Sequence, residues 1–505
     1  MLNVHDQEAV ARIANNWRLT PATLASKLSG GTWIPSEWLR YASIRVASGI
    51  ARGNARIIIS APPRHGKSEL VSVYTPVWAL ENFSDRNIIL TGYGAELTEL
   101  YGRRVRDTIR EHKGLLNTQI RDDVSKVSAF QTTTNGYMFS VGLGGAITGR
   151  GAHILIIDDY IKEIKEALSP AQREYIWNWF TTTAMTRLEP GASVIIIATR
   201  WHSDDLIGRI IKNHTDRWEV INFPAFAGEN DLIGRKPGQP LFPERYNTDD
   251  LLDKKDLLGS IFFNALYQQT PTDESAAIAN KSWINTTSNI PENDYVWARV
   301  WDLAASDNAG DWTVGVLIGY SPSTEKIIIA NIVRKQISSG KIEETVRNVA
   351  ELDGQHVKVV IEQEPGSSGK NLVQQYKDRV LKGFVVEAAP TVNAGSKLIR
   401  AQPFLAACEA GKVYLLDETV TRDETDIGGW QDHFLKEFES FPGGAHDDQV
   451  DAAAAGYNNL TGKRTFSASW GRPKRKDTKP NSQAIRKASL FVATTRRVRG
   501  ATFGR

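Results

Sequence analysis

Between Arg56 and about Ala225, six short runs, ARIIIS, NIILTGY, YMFSVGL, HILIIDD, ASVIIIATR and WEVINFP, alternate with stretches of helical pattern. Most of the runs have a continuously apolar interior, without the alternation of a half-solvated strand, and each is too short for an ordinary helix. Strands of that kind must be covered on both faces, so the pattern predicts an α/β fold with a mostly parallel sheet between helical layers. A helical lead is expected before Arg56.

The pattern breaks between Ala227 and Ile284. A polar stretch, GRKPGQPLFPERYN, leads into a helix-like segment from Asp249 to about Gln269 and then TPTDES, which places a domain boundary near Pro271 to Ser282. A second set of runs follows: ARVWDLA, WTVGVLIGY, KIIIANIV, KVVIEQE, FVVEAAP and KVYLLD. The first three are separated by hairpin-length gaps and helical stretches begin only near Gly340, the order of a ribonuclease-H-like domain. The expected partition is a helical lead over 1–55, a phosphate-loop core over 56–226, a connector over 227–284, a ribonuclease-H-like domain over 285–462 and a basic flexible tail over 463–505.

A chain of 505 residues, 41% hydrophobic and 24% charged, is long enough for two or more cores. One cysteine, Cys408, excludes an intramolecular disulfide framework and a cysteine-rich zinc site. No basic start leads into an apolar run and no stretch approaches the ~18–20 apolar residues of a membrane span, so a soluble intracellular protein is expected. The formal charge of +3 conceals an asymmetry: Lys463 to Arg505 holds 13 of the 61 lysines and arginines but one of the 58 acids, Asp477. Such a tail suits a polyanion or an acidic protein face, or serves only to keep the chain soluble.

The run ending at Ser60 enters APPRHGKS, in which Arg64, His65, Gly66, Lys67 and Ser68 lead into a helix beginning SELVSVY. A phosphate chain needs inward-turned amides at a helix start, a lysine for its charge and a hydroxyl for Mg²⁺, and this stretch offers all three. Ala61 stands where the usual pattern has its first glycine. Some ninety residues on, HILIIDDY ends a buried strand in Asp158, suited to hold Mg²⁺, and Asp159, suited to polarise an attacking water. Thr199 and Arg200 end the next strand, where a polar residue beside the loop could sense the terminal phosphate, or simply close the strand. Arg64 and the cluster Arg103, Arg104 and Arg106 are candidates for a charge-neutralising finger, the cluster being better read as a solvated or DNA-facing helix side.

A nuclease working through two metal ions about 4 Å apart needs several carboxylates around them. Three places supply acids: Asp302 in WDLA; Glu362 at the end of KVVIEQE, with Glu364 on the same strand face; and HDDQVDA, where Asp447, Asp448 and Asp451 precede an alanine-rich helix. Asp448 and Asp451 share one helical face near an N-terminus that favours negative charge, which a capped helix start would also explain. Asp307 and Asp311 belong to an expected hairpin turn and read as solvated.

These motifs, APPRHGKS, GGAITGRGAHILIIDDYIK, ATRWHSDDL, LFPER with ALYQQTP, WDLA, IEQEPGSSG and HDDQVDA, together resemble the terminase large subunit family of tailed bacteriophages from about Trp33 to Asn459. The resemblance implies that Lys67 and Ser68 bind the phosphates of ATP and Mg²⁺, and that Asp158 is the metal-site acid, with Asp159 in place of the family's glutamate. It also implies that Thr199 couples hydrolysis to domain movement, and that Asp302, Glu362 and Asp448 are nuclease carboxylates, assisted by Asp451 or Asp447 and served by Mg²⁺ or Mn²⁺. An adenine-contacting residue is expected before Arg56, with Trp33 and Trp38 as candidates. The implied partners are double-stranded DNA, a portal protein, a small terminase subunit and further copies of the chain in a ring of five. The implied place is the host cytoplasm, transiently on a procapsid. Two rival readings are a cellular DNA-repair helicase-nuclease, which needs a second parallel-sheet lobe, and an inactive nucleic-acid scaffold.

Overall fold

The computed structural model describes residues 16–147, 149–272, 279–290, 294–303, 312–362, 367–389, 397–417, 429–444 and 446–462, all within the unit Met1–Arg464. Asp307, Asp311, Glu364 and the basic tail from Lys463 lie outside these residues.

Two helices, α1 (Pro21–Leu28) and α2 (Glu37–Arg52), precede a first sheet. Its strands are β1 (Arg56–Ser60), β2 (Asn87–Gly92), β3 (Ile120–Lys126), β4 (Ala129–Thr132), β5 (Tyr137–Gly142), β6 (Ala152–Asp158), β7 (Leu188–Ala198) and β8 (Glu219–Asn222), in the order β3-β4-β5-β2-β6-β7-β1-β8. From β5 to β8 every neighbouring pair is parallel. Between the strands lie a π-helical turn (Glu69–Tyr74) running into α3 (Thr75–Asn82), then α4 (Ala95–Glu111), α5 (Ile164–Leu168), α6 (Pro170–Trp179) and α7 (Leu206–His214).

The apolar runs are continuous because their alternate residues enter two different cores. Ile57 and Ile59 of β1, Ile154 and Ile156 of β6 and Ile195 and Ile197 of β7 join Leu24, Trp38, Val46, Leu70, Val77 and Val105 from one helical layer. Ile58, Leu155, Ile157, Val194 and Ile196 join Ile176, Ile207 and Ile210 from the other. Each fully buried isoleucine contributes about 2–3 kcal/mol, which anchors the strand ends that carry the polar residues. The antiparallel pair β3–β4 was not legible as strand: IRDDVSK is polar and only partly buried, as suits an edge.

After β8 comes α8 (Thr248–Leu266), broken at Gly259 (φ 68°, ψ 163°). Its Leu251, Leu258, Phe262, Phe263 and Leu266 pack into the core of the second sheet, so this part of the expected connector belongs to that core. The second sheet has β9 (Asn285–Thr287), β10 (Val296–Asp302), β11 (Thr313–Tyr320), β12 (Ile327–Lys335), β13 (Lys358–Ile361), β14 (Val386–Ala388) and β15 (Val413–Leu416), in the order β14-β13-β10-β11-β12-β15-β9. β10, β11 and β12 form the expected antiparallel meander, and β13 then pairs parallel to β10. Its helices are α9 (Ser339–Asp353), α10 (Ser367–Gln375), α11 (Lys397–Glu409), α12 (Trp430–Ser440) and α13 (Asp448–Leu460). α13 lies close on the meander because Gly456 has no side chain: a Cβ there would sit 2.6 Å from Ile318 and 3.0 Å from Val300.

Candidate active sites

The order β6-β7-β1 brings three strand ends side by side. β1 leads into the loop, β7 ends before Thr199 and β6 ends at Asp158. The loop turns through left-handed backbone at exposed Arg64 (φ 63°) and at Gly66 (φ 97°), where an added Cβ would also press to 3.3 Å from Leu39. Buried Ala61 keeps its amide on Ala198 O at 3.4 Å, so the missing first glycine leaves the β1–β7 pairing intact.

The helix begins at Lys67, whose side chain is almost fully buried. Lys67 Nζ donates to Thr199 Oγ1 at 2.6 Å and stands 3.8 Å from Asp159 Oδ2. Thr199 N–H donates in turn to Asp159 Oδ1 at 3.0 Å. Ser68 Oγ donates to Asp158 Oδ1 at 3.1 Å and Ser72 Oγ to Asp158 Oδ2 at 2.6 Å. Burial, then the charge of Asp159, pushes the Asp158 carboxyl up to about 7, against the hydroxyl donors and Lys67. A buried carboxylate with two hydroxyls on it is a hard-oxygen set that fits Mg²⁺, and Lys67 beyond β1, two strands away, suits a polyphosphate beside it.

His65 within the loop and Arg200 beyond the end of β7 are each held by protein partners. His65 is fully buried, gives its Nδ1–H to Pro63 O at 2.9 Å and stacks on Tyr246 at 5.0 Å between centroids. Burial holds its pKa down at about 4, so it is neutral at pH 7. Arg200 is tied by Nε to buried Asp205 at 2.8 Å, and its amide donates to Gln269 Oε1 at 3.0 Å. Of the arginine cluster Arg103 is exposed and the Arg104 side chain is 42% exposed. Arg104 is held in a two-bond pair with Glu69, and Arg106 by Asp107 and Ser125 O. Trp38 is buried against Phe223 with centroids 5.5 Å apart, which removes it as a contact for a base; Trp33 is half-buried against Tyr74.

The second group gathers on the other sheet. Parallel pairing of Trp301 with Ile361 sets Asp302 beside Glu362, whose amide donates to Trp301 O at 2.9 Å. Asp447 stands at the N-cap position of α13 without a side-chain capping bond; Asp448 and Asp451 occupy its first turn, and α13 packs across β10 and β11. Burial pushes the Asp302 carboxyl up to about 8, reinforced by the charges of Glu362, Asp448 and Asp451 and opposed by Lys397. Burial likewise raises Asp451 to about 7 and raises Asp448. Asp451 Oδ1 is buried without a hydrogen-bond partner. Crowded carboxylates with an unmet buried oxygen are the donor chemistry that a hard divalent cation satisfies. Among the described residues, however, no three acids or histidines close into a metal-holding group. Two cations stand between them instead: Lys397 Nζ is 2.6 Å from Asp447, and Arg400 Nη1 is 2.9 Å from Glu362.

Glu437 of α12 was not singled out by sequence. It is buried and accepts from Gln449 N and Gln449 Nε2, both at 2.6 Å, and from Val450 N at 3.3 Å, so it caps the helix that carries Asp448 and Asp451. A signal existed: with Trp430, Phe434 and Phe438 it lies on the buried face of its helix.

A family model described as the terminase large subunit, T4likevirus-type, N-terminal, matches residues 58–286, and one described as the terminase RNaseH-like domain matches residues 299–460. No curated protein matches the chain. Among solved structures, the chain is similar to the large terminase of the thermophilic bacteriophage D6E in complex with ADP, at 13% identity over 86% of this chain and 100% of that one, with a TM-score of 0.43. The bacteriophage HK97 large terminase gives 12% over 84% and 95%, with a TM-score of 0.34. The large terminase nuclease of thermophilic phage G20c with bound zinc gives 17% over 35% and 94%, with a TM-score of 0.25.

Proposed function

The chain belongs to the terminase large subunit family of bacteriophages, and on that premise we propose that it hydrolyses ATP to drive double-stranded DNA into a procapsid and cuts that DNA at a separate centre. The observation that carries the motor reading is the linkage of four residues over three strand ends, Ser68 to Asp158 and Lys67 to Thr199.

In this reading Lys67, poised between Thr199 and Asp159, neutralises the terminal phosphates, and Ser68 with Asp158 would hold Mg²⁺. The ion supplies charge neutralisation of the phosphates. Asp159, held by the Thr199 amide, orients the attacking water. Because Thr199 touches Lys67 by side chain and Asp159 by amide, it registers whether the lysine is engaged by phosphate. Its neighbour Arg200 passes that state through Gln269 to the chain leaving α8.

At the second centre Asp302, Glu362 and Asp448, with Asp451 or Asp447, would hold Mg²⁺ or Mn²⁺, and the metal would supply Lewis-acid chemistry for hydrolysis there. The rival helicase-nuclease requires a second parallel-sheet lobe, and the antiparallel β10–β12 meander counts against it. The inactive-scaffold reading is disfavoured by the linked polar set around Asp158 and by the charges of Glu362, Asp448 and Asp451 gathered around Asp302. The basic segment from Lys463 to Arg505 is assigned to the portal or to DNA, and the working form to a ring, of five copies by family analogy, on the procapsid in the host cytoplasm, guided by a small terminase subunit. Among the described residues no helix is long and apolar enough to cross a membrane.

The test is packaging itself. With portal-bearing procapsids, small subunit, ATP and Mg²⁺, the chain should render DNA resistant to added DNase, and deletion of Lys463 to Arg505 should abolish that protection while sparing ATP hydrolysis by the free protein. A chain that hydrolyses ATP yet never protects DNA would refute the packaging role; full protection by the truncated chain would refute the role of the tail.

A further inference from the structure

Lys397 and Arg400, three residues apart and therefore on one face of α11, stand within the carboxylate group. Lys397 Nζ lies 2.6 and 2.7 Å from the two oxygens of Asp447 and 3.6 Å from Asp451 Oδ2. Arg400 lies 2.9 Å from Glu362 Oε1 and 3.5 Å from Asp451 Oδ2. All three acids are candidate metal ligands, and both cations come from outside the motifs that carry them.

The pairing is incomplete in a telling way. Asp451 Oδ1 and Arg400 Nε are both buried with no hydrogen-bond partner. A permanent structural ion pair satisfies its buried atoms, because leaving them unmet is costly. The far part of α11 is fixed: Gln402 Nε2 donates to Leu258 O at 2.7 Å and Glu409 accepts from Ser260 N at 2.7 Å, which satisfies backbone groups at the Gly259 break. The helix thus holds its place while its first side chains are able to leave. The Lys397 side chain is 51% exposed and can rotate into water without crossing protein. Two single positive charges also match one divalent ion.

We infer that Lys397 and Arg400 are built-in counter-ions of the metal-free nuclease centre, which a divalent cation must displace from Asp447, Asp451 and Glu362. They set the concentration of free metal at which the centre loads, so the nuclease is restrained when that concentration is low. The inference rests on the reading of this group as the nuclease centre.

Calorimetric titration of the full chain with Mn²⁺, without ATP or DNA, tests it. The binding event lost in both Asp302→Asn and Asp451→Asn belongs to the nuclease centre. Lys397→Met should tighten that event about three- to fivefold, the range of a half-exposed ion pair, and lower the melting temperature in EDTA. Arg400→Met should act in the same direction, and Lys397→Arg should restore the parent affinity. Unchanged or weaker Mn²⁺ binding in both methionine variants, with the event still abolished by Asp451→Asn, overturns the counter-ion inference alone. Absence of any Mn²⁺ event sensitive to Asp302→Asn or Asp451→Asn overturns the nuclease reading and the inference with it.

Discussion

Ser72 donates its hydroxyl to Asp158 Oδ2 at 2.6 Å, one helical turn beyond the phosphate-loop serine that holds the other oxygen. A hydrogen bond to a buried carboxylate is worth about 1.5–3 kcal/mol, and losing it leaves the anion less stabilised. Ser72→Ala should therefore destabilise the protein by about that amount and raise the Mg²⁺ concentration needed for half-maximal ATP hydrolysis. Denaturant melts and Mg²⁺ titrations of ATPase rate check this; an unchanged Mg²⁺ requirement would show that Ser72 does not support the metal acid.

His65 gives a pH signature. Its pKa is 6.5 when exposed and about 4 in the fold, so the native state prefers the neutral ring. Its contribution is present in full above pH 6.5 and is lost as pH falls from there toward 4, amounting to about 3 kcal/mol over the whole window. Melting temperatures between pH 7.5 and 4.5 should fall more steeply in the parent than in His65→Gln. Parallel curves would contradict the burial of a neutral ring against Tyr246.

Glu437 makes the next case. Glu437→Ala leaves the Gln449 and Val450 amides unpaired at the start of α13, at a cost of about 2–4 kcal/mol. Nuclease activity should fall while ATP hydrolysis persists, with Glu437→Gln intermediate because its amide oxygen still accepts. Equal loss of both activities at a temperature where the variant remains folded would exclude a local capping role.

Gly456→Ala probes the same helix from its other side. The added methyl would lie 2.6 Å from Ile318, and forcing α13 away from β10 and β11 costs about 1–3 kcal/mol. The expected result is a lower melting temperature and reduced plasmid cleavage; wild-type cleavage would mean that the seating of α13 does not govern the acids.

What was legible follows from how local each determinant is. The strands β1, β2, β6, β7, β10 and β13 announce themselves because both faces are buried, and the strand-end acids follow because a polar residue after such a run must sit at an edge. β3, β4 and β9 were missed because their polar residues are held by pairing to a neighbour rather than by burial of their own. Ser72 was within reach, four residues after Ser68. Lys397, Arg400 and Tyr246 were not, since what makes them matter is a partner far along the chain: Asp451, Glu362 and His65. Trp38 was misread because a tryptophan before a phosphate loop carries no mark of whether it faces a base or Phe223.

The central claim is that one chain carries two chemically separate centres. Lys67→Ala and Asp302→Asn, assayed side by side for DNA-stimulated ATP hydrolysis and for Mn²⁺-dependent cutting of plasmid DNA, test it most directly. Lys67→Ala should lower the first by about a hundredfold or more and leave the second within about twofold, and Asp302→Asn should do the reverse. Loss of both activities in either variant, with its melting temperature unchanged, would contradict the account.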